Sequence, residues 1–429
     1  LFEYMESMNN ILISSATLVL PGHSKNGKIV DILVENGNIS RIDNKIKQEA
    51  TNVHVIDAKG CTVAPGFFDL HANFGEPGLE TKEDIFSGTA AAAAGGFTAV
   101  AVFPNTNPPI HSRSEVSLIV NSAKGNLVDV LPIGAISRKT EGNELAELYD
   151  MKSVGAIAFS DGNRGVQQAG LMGRALLYAK GFGGLIISFA EDRSIAADNQ
   201  MNEGNVSTFL GMKGKPNLAE ALMISRDLFL AEYNDAPIHF TSISTIEAVT
   251  LIKRAKSKGI KVTCDVAAHN LVYTDQEVMG FDSHYKVSPP LRTKKDLKSL
   301  IKGLKDGTID AVVSQHTPHE IEFKNVEFQI AKDGIIGLQT TLPFLVKAGL
   351  TDQEIVEKLS INPRQIVGRE VPTCEIGTVA NLVVFDRSQE WRYDASTNKS
   401  KCANSPVFGQ SLIGKVRAVI NNGHLVENS

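Results

Sequence analysis

From Pro65 to Gly368 the chain repeats one alternation: a helix-forming run, a glycine, then a short run of branched and aromatic residues. Residues 89–94 form an alanine-rich helical run, closed by Gly95 and Gly96 and followed by a buried strand over 97–103. Ser244 and Glu247 match a capping box that opens a helix running to about Lys258, and Gly259 ends it before a strand over 260–266. A helix around 295–305 leads into a strand over 309–313 in the same way. Sustained alternation of this kind admits few architectures. A (β/α)8 barrel of the TIM type is the first, and a doubly wound open sheet is the second. No G-x-G-x-x-G or Walker loop favours a nucleotide-binding version of the open sheet.

The two ends of the chain follow a different grammar. Strand-like runs over 29–35 and 39–42 flank Asn36-Gly37, the strongest two-residue hairpin signal. Near the other end, a β-rich run covers 382–385, and another over 416–420 precedes Asn422-Gly423. At 429 residues the chain exceeds a single core. The reading is a small composite β-sandwich domain built from 8–64 and 369–429, around a barrel over 65–368.

Hydrophobic residues make up 42% of the chain and charged residues 21%, as in ordinary globular proteins. A net charge of −5 gives no electrostatic reason to expect nucleic acid or an anionic membrane as partner. No apolar run is long enough to span a bilayer. Residues 1–10 lack the basic start and apolar core of a signal peptide, and Met8 is a candidate start because Leu1 is not an initiator. Cys61, Cys264, Cys374 and Cys402 show no C-x-x-C spacing and read as buried free thiols. A cytoplasmic location is expected.

In a barrel, chemistry collects at the C-terminal ends of the strands. His71, Asn105, Asp161, Phe189, Ser242 and Gln315 all fall at or just beyond the ends of predicted strands. His71 and Asn73 share one strand face, so an H-x-H pair there would aim two imidazoles at one ion. Asn73 offers only a neutral amide oxygen, a poor zinc ligand. Each residue also has an ordinary reading. A lone histidine is usually a satisfied, half-buried one, and aspartates commonly cap turns. His269 and His316 admit the same structural reading. His239 lies three positions before Ser242, so strand parity turns it to the opposite face, as a core or helix-facing residue.

Several strings in order resemble the long dihydroorotases of the amidohydrolase superfamily, the type with an aspartate where others use a carboxylated lysine. They are Pro65-Gly66-Phe67-Phe68-Asp69-Leu70-His71, Glu76-Pro77-Gly78, Ala93-Ala94-Gly95-Gly96-Phe97-Thr98 and Pro104-Asn105-Thr106-Asn107-Pro108. Further on come Phe159-Ser160-Asp161-Gly162, Lys286-Val287-Ser288-Pro289-Pro290-Leu291-Arg292 and His316-Thr317-Pro318-His319. The resemblance implies a (β/α)8 barrel with a composite β-sandwich. It also implies two zinc ions, an aspartate proton shuttle and the reversible cyclisation of N-carbamoyl-aspartate to dihydroorotate in pyrimidine synthesis.

By that resemblance the first histidine pair falls on His71 and Asn73, and the bridging carboxylate on Asp161. The two later ligand histidines fall on Phe189 and Ser242, and the proton-shuttling aspartate on Gln315. Of the substrate-binding positions, Asn105 and His319 are kept. The arginine position is Gly75, and an asparagine position is Ser288. Phenylalanine cannot ligate a metal, and a glutamine amide does not titrate near neutral pH. His71 and Asp161 alone are no site for two zinc ions.

The expectation is therefore a dihydroorotase-like protein that is catalytically impaired or inactive, with no cofactor. It resembles the family's non-catalytic members, which act as structural partners of aspartate transcarbamoylase, and a homo-oligomer is expected on the same ground. One alternative is an active cyclic amidohydrolase with a single zinc ion on His71, Asp161 and His316 or His319. Another is a non-catalytic small-molecule sensor that keeps the pocket through Asn105 and His319.

Overall fold

In the computed structural model, residues 10–47, 53–196 and 200–428 are described. Met8 and the rest of the first nine residues lie outside that range. Eight parallel strands form the central sheet, in spatial order matching chain order: Phe67–Ala72, Phe97–Val102, Asp129–Gly134, Ala158–Phe159, Ile186–Phe189, Ile238–Thr241, Val262–Ala267 and Ala311–Val313. Helices cross between most of them, and the apolar faces of those helices join the large outer core. Inward-facing Phe68, Leu70, Ala99, Ala101, Ile133, Ile187, Ala267, Ala311 and Val313 form a separate cluster that fills the barrel.

The eighth strand meets the first just beyond its own end. Ala72 pairs with His316 in a parallel bridge, and the Asn73 amide donates to the His316 carbonyl at 2.8 Å. Asp69 completes this closure, its carboxylate accepting from the Ser314 amide at 2.9 Å and from the Ser314 hydroxyl. Burial raises the Asp69 pKa to about 7 against those hydrogen bonds.

Both chain ends share one mixed eight-stranded sheet, the β-sandwich part of the fold. Strand Thr62–Pro65 pairs in parallel with Asn10–Leu18 and antiparallel with Leu382–Tyr393, stitching N-terminal strands to C-terminal ones. Ile13, Val30, Ile32, Val63, Leu382, Val384, Ala418 and Ile420 are its core. Both Asn-Gly turns form as expected: Asn36 and Gly37 have φ of 51° and 77°, and Asn422 and Gly423 have 53° and 76°. Such a pair of positive φ values matches the right-handed twist of the flanking strands.

Two local expectations are corrected. The helix Ile246–Ser257 is capped by Thr245, whose side chain accepts from the Ala248 amide. Ser244 instead donates its amide (2.9 Å) and its hydroxyl to buried Glu220, so the sequence spacing marked the cap one residue early. His239 is a core residue but faces into the barrel, not toward the helices. It contacts Thr263 and Asp265 at 2.8 and 2.9 Å, while Phe240 and Cys264 face the outer core. The parity count fails because Ser242 lies past the strand end with φ 54°, which breaks the two-residue alternation.

Among the described residues no helix is long and apolar enough to cross a membrane. The cysteines are free and buried, as their spacing suggested.

Candidate functional site at the barrel mouth

A cavity of about 280 Å³ opens at the C-terminal ends of the strands, lined by His71, Asn73, Gly75, Asn105, Ser288, Gln315 and His319 together with Lys82 and Lys332. Seven of the positions singled out in the sequence thus meet in one place. Phe189 and Ser242 line a much smaller crevice beside it, with Glu191, Lys215, Glu220 and Arg292. Asp161 lines neither.

The polar groups at the mouth are bound to one another. Thr241 donates its hydroxyl to Asp265 at 3.0 Å, so its oxygen accepts from His71 Nδ1–H, also at 3.0 Å. With its pKa lowered by burial, His71 is neutral near pH 7, and the proton on Nδ1 leaves the lone pair on Nε2. Its ring stacks on Phe103 with centroids 3.9 Å apart, and burial lowers its pKa to about 4. Asn73 donates to the His316 carbonyl and the Thr317 hydroxyl at 3.1 and 3.0 Å, and accepts from Asn105 at 2.9 Å. Asn105 in turn sits over Gly162, where a Cβ would lie 2.0 Å from its Oδ1. That contact explains glycine after Asp161.

Asp161 turns both carboxylate oxygens to Ser137, accepting from its amide at 2.8 Å and its hydroxyl at 2.5 Å. Burial is the main force on this carboxyl and holds its pKa above the ordinary value. Gln315 donates its amide to the Ser288 carbonyl at 2.8 Å. His316 accepts the Gly337 amide at Nδ1 and donates from Nε2 to buried Glu83 at 3.2 Å, a wholly structural arrangement. His319 donates from Nε2 to the Asp333 carbonyl at 3.0 Å, while its buried Nδ1 has no hydrogen-bond partner. His269 carries a buried, unpartnered Nε2.

These partners bear directly on metal binding. Among the described residues, no group of three or more His, Cys, Asp or Glu side chains is placed to hold an ion. Zinc in such a site draws on imidazole, thiolate and carboxylate donors. At the family's ligand positions one imidazole remains, Asp161 is bonded to Ser137, and the others offer an amide, a phenyl ring and a hydroxyl. The residues present do not fit a dinuclear zinc centre, and the Gln315 amide neither takes up nor releases a proton near neutral pH.

Gly75 is closed in a way its identity alone does not reveal. Its amide donates to Glu83 O at 2.9 Å and its carbonyl accepts from Leu79 N at 2.8 Å. A Cβ there would lie 2.0 Å from the Leu79 carbonyl oxygen, so this loop has no room for any side chain, least of all an arginine.

Sequence reading missed several groups that shape the site. Asp265 gathers Ser242 N (2.6 Å), Thr241 and His239, and Ser137 holds Asp161. Lys215 and Glu191 form a contact ion pair beside Ser288. A legible signal existed for Asp265, the one charged residue in its strand. Ser137 and Lys215 sit in loops and short segments with no such contrast.

Comparison with known proteins places this geometry in a lineage. The family described as "Dihydro-orotase-like" matches residues 60–248, and the "Amidohydrolase family" matches residues 198–426. The chain is 43% identical to a dihydroorotase of Acetivibrio thermocellus, over 97% of this chain and 98% of that protein. It is 44% identical to a dihydroorotase of Ruminiclostridium cellulolyticum, over 92% and 94%. Among solved structures, an L-hydantoinase from Arthrobacter aurescens superposes with a TM-score of 0.85 at 24% identity, covering 98% of this chain and 97% of that one. A dihydropyrimidinase from Brevibacillus agri gives 0.81 at 23%, covering 98% and 95%. The hydantoinase likeness speaks for the fold, a TIM barrel with a β-sandwich, and no further. With identity above two-fifths sustained from end to end, the chain belongs to the dihydroorotase family of the amidohydrolases.

Proposed function

We propose that this chain is a non-catalytic dihydroorotase-like protein of pyrimidine biosynthesis, acting as a structural partner of aspartate transcarbamoylase. The observation that carries the first half is the state of the barrel mouth. Asn73, Phe189, Ser242 and Gln315 stand at lost ligand and shuttle positions, and the remnants His71 and Asp161 are bonded to Thr241 and Ser137. The partner follows from the resemblance to non-catalytic family members.

The tests are direct. The purified protein is expected to carry far less than one zinc per chain by elemental analysis, and to show no turnover of dihydroorotate or N-carbamoyl-aspartate with added zinc. Stoichiometric zinc with turnover would establish the altered, mononuclear enzyme instead. Mixed with the transcarbamoylase of the same organism, the chain is expected to co-elute with it. Separate elution with unchanged transcarbamoylase activity would reject the partnership.

One observation favours a second reading, a small-molecule sensor. The cavity persists, and His319 Nδ1 is a buried acceptor without a donor. A buried polar atom left unpaired is costly, so a bound N–H or O–H group would be stabilised there. Calorimetry with dihydroorotate and carbamoyl-aspartate tests it, and silence for both counts against it.

A further inference from the structure

Two buried lysines near the barrel mouth end on main-chain carbonyls instead of carboxylates. Lys286 follows the short turn Ser283–Tyr285, and Lys324 ends the short helix Ile321–Lys324. They are 6% and 1% exposed. Lys286 Nζ donates to the carbonyls of Phe328, Gln329 and Ala331, each at 2.8 Å, so its three N–H bonds are all used. Lys324 Nζ donates to the carbonyls of Lys332 and Gly334 at 2.9 and 3.0 Å, and reaches the Lys286 carbonyl at 3.5 Å. Burial lowers both pKa values, that of Lys324 to about 8, and Asp333 opposes the shift from a distance. Lys324 therefore keeps its charge near neutral pH.

The segment that supplies these carbonyls gives the arrangement its meaning. Residues 325–334 form neither helix nor strand. Their apolar anchors are few, since Phe328 and Ala331 are buried but Ile330 is 65% exposed. Carbonyl oxygens turned inward on such a segment repel one another and lack donors of their own. Rings of main-chain carbonyls hold monovalent cations in selectivity filters. Here the cation at the centre of each nest is tethered to the chain.

The two lysines are tied at their own backbones as well. Ser283 donates its hydroxyl to the Lys324 carbonyl, and the Gly334 amide donates to the Lys286 carbonyl at 2.9 Å. The far end of the segment is a wall of the cavity, where Lys332, Asp333 and Gly334 stand. Asp333 supplies the carbonyl that accepts from His319 Nε2, and the Gly334 carbonyl also accepts from Asn404 at 3.1 Å.

We propose that Lys286 and Lys324 are positioning residues for the barrel mouth. Their ammonium groups serve as tethered monovalent cations around which residues 328–334 fold, which fixes the His319 ring and the wall beside it. The proposal stands whether the mouth is catalytic, a sensor or neither.

The test is a cut confined to this segment. Phe328 is enclosed, so chymotrypsin reaches it only when the segment opens. Lys286→Met and Lys324→Met keep an unbranched stem and remove the charge. Each is expected to be cut at Phe328 at least about 10-fold faster than the parent, with the rest of the chain as resistant as before. In Lys286→Ala, which empties one nest, ammonium or methylammonium chloride at tens of millimolar should restore resistance. Tetramethylammonium chloride, with no N–H to donate, should not. Proton NMR reads the mouth: the protected Nε2–H of His319, identified by its loss in His319→Gln, should vanish in Lys324→Met. Parent-like resistance in both methionine variants would overturn the proposal, because packing of the stem would then suffice. So would unfolding of the whole chain in place of a confined cut, or a His319 signal unchanged in Lys324→Met. Absence of any rescue, or rescue by tetramethylammonium equal to that by ammonium, would overturn it too.

Discussion

Gly75 shows how much a single residue can conceal. Read in the sequence, it is an arginine position that lost its charge. In the structure its backbone has closed onto Leu79 and Glu83, so refilling the position means reopening a loop. Gly75→Arg is expected to destabilise the fold by about 2–4 kcal/mol through overpacking, visible as a lowered thermal midpoint with no gain in dihydroorotate binding. For the same reason, restoring Asn73→His, Phe189→His, Ser242→His and Gln315→Asp together is expected to raise zinc content without producing turnover. Elemental analysis alongside the dihydroorotase assay separates the two effects. The identities at His71, Asn73, Asn105 and Gln315 were legible in the sequence, and their convergence on one cavity follows from the barrel. Their hydrogen bonds were not legible, because the partners Thr241, Thr317 and Ser288 come from other strands and loops with no pattern of their own.

Elements were easier to read where a local rule acts alone. Both Asn-Gly hairpins formed, since positive φ at two successive residues is a property of that dipeptide and its flanking strands. The cap at Thr245 and the facing of His239 were misread because tertiary partners override local spacing: Glu220 claims Ser244, and Ser242 takes a left-handed turn. Arg364 belongs to the same class of hidden ties. From the short helix Asn362–Ile366 it donates to the carbonyls of Gly66 and Ser360 at 2.8 and 2.9 Å, and to Thr98 at 3.1 Å. It thereby fixes the last helix of the barrel to the start of its first strand. Arg364→Leu removes all of these hydrogen bonds at a buried site, leaving Gly66 only the Ser360 hydroxyl as donor, and is expected to cost about 3 kcal/mol. Denaturant unfolding would register that as a lower midpoint.

At the scale of the whole molecule, buried histidines set the response to acid. His269 is fully enclosed, and burial first, then His71, lowers its pKa to about 3. The unfolded chain therefore binds a proton at this residue, below its ordinary value near 6.5, that the folded chain refuses. Its contribution to stability is complete above that value and is lost as pH falls toward 3. Asp69, raised to about 7, acts in the opposite sense, so a single variant isolates the effect. His269→Leu is expected to flatten the acid limb of the stability profile by up to about 1.4 kcal/mol per pH unit. Melting curves at steps from pH 7 to pH 4 would show no difference in slope if the histidine were already protonated in the fold. The shared sheet has a consequence in time as well as in space. Strand Thr62–Pro65 needs Leu382–Tyr393 as its neighbour, and more than three hundred residues separate them. At ribosomal rates of about 5–20 residues per second, that wait is roughly 15–60 s. During it the barrel can assemble while the N-terminal strands keep an open edge. The first segment made is among the last to be completed, so nascent chains of this protein should be most vulnerable to aggregation just before synthesis ends.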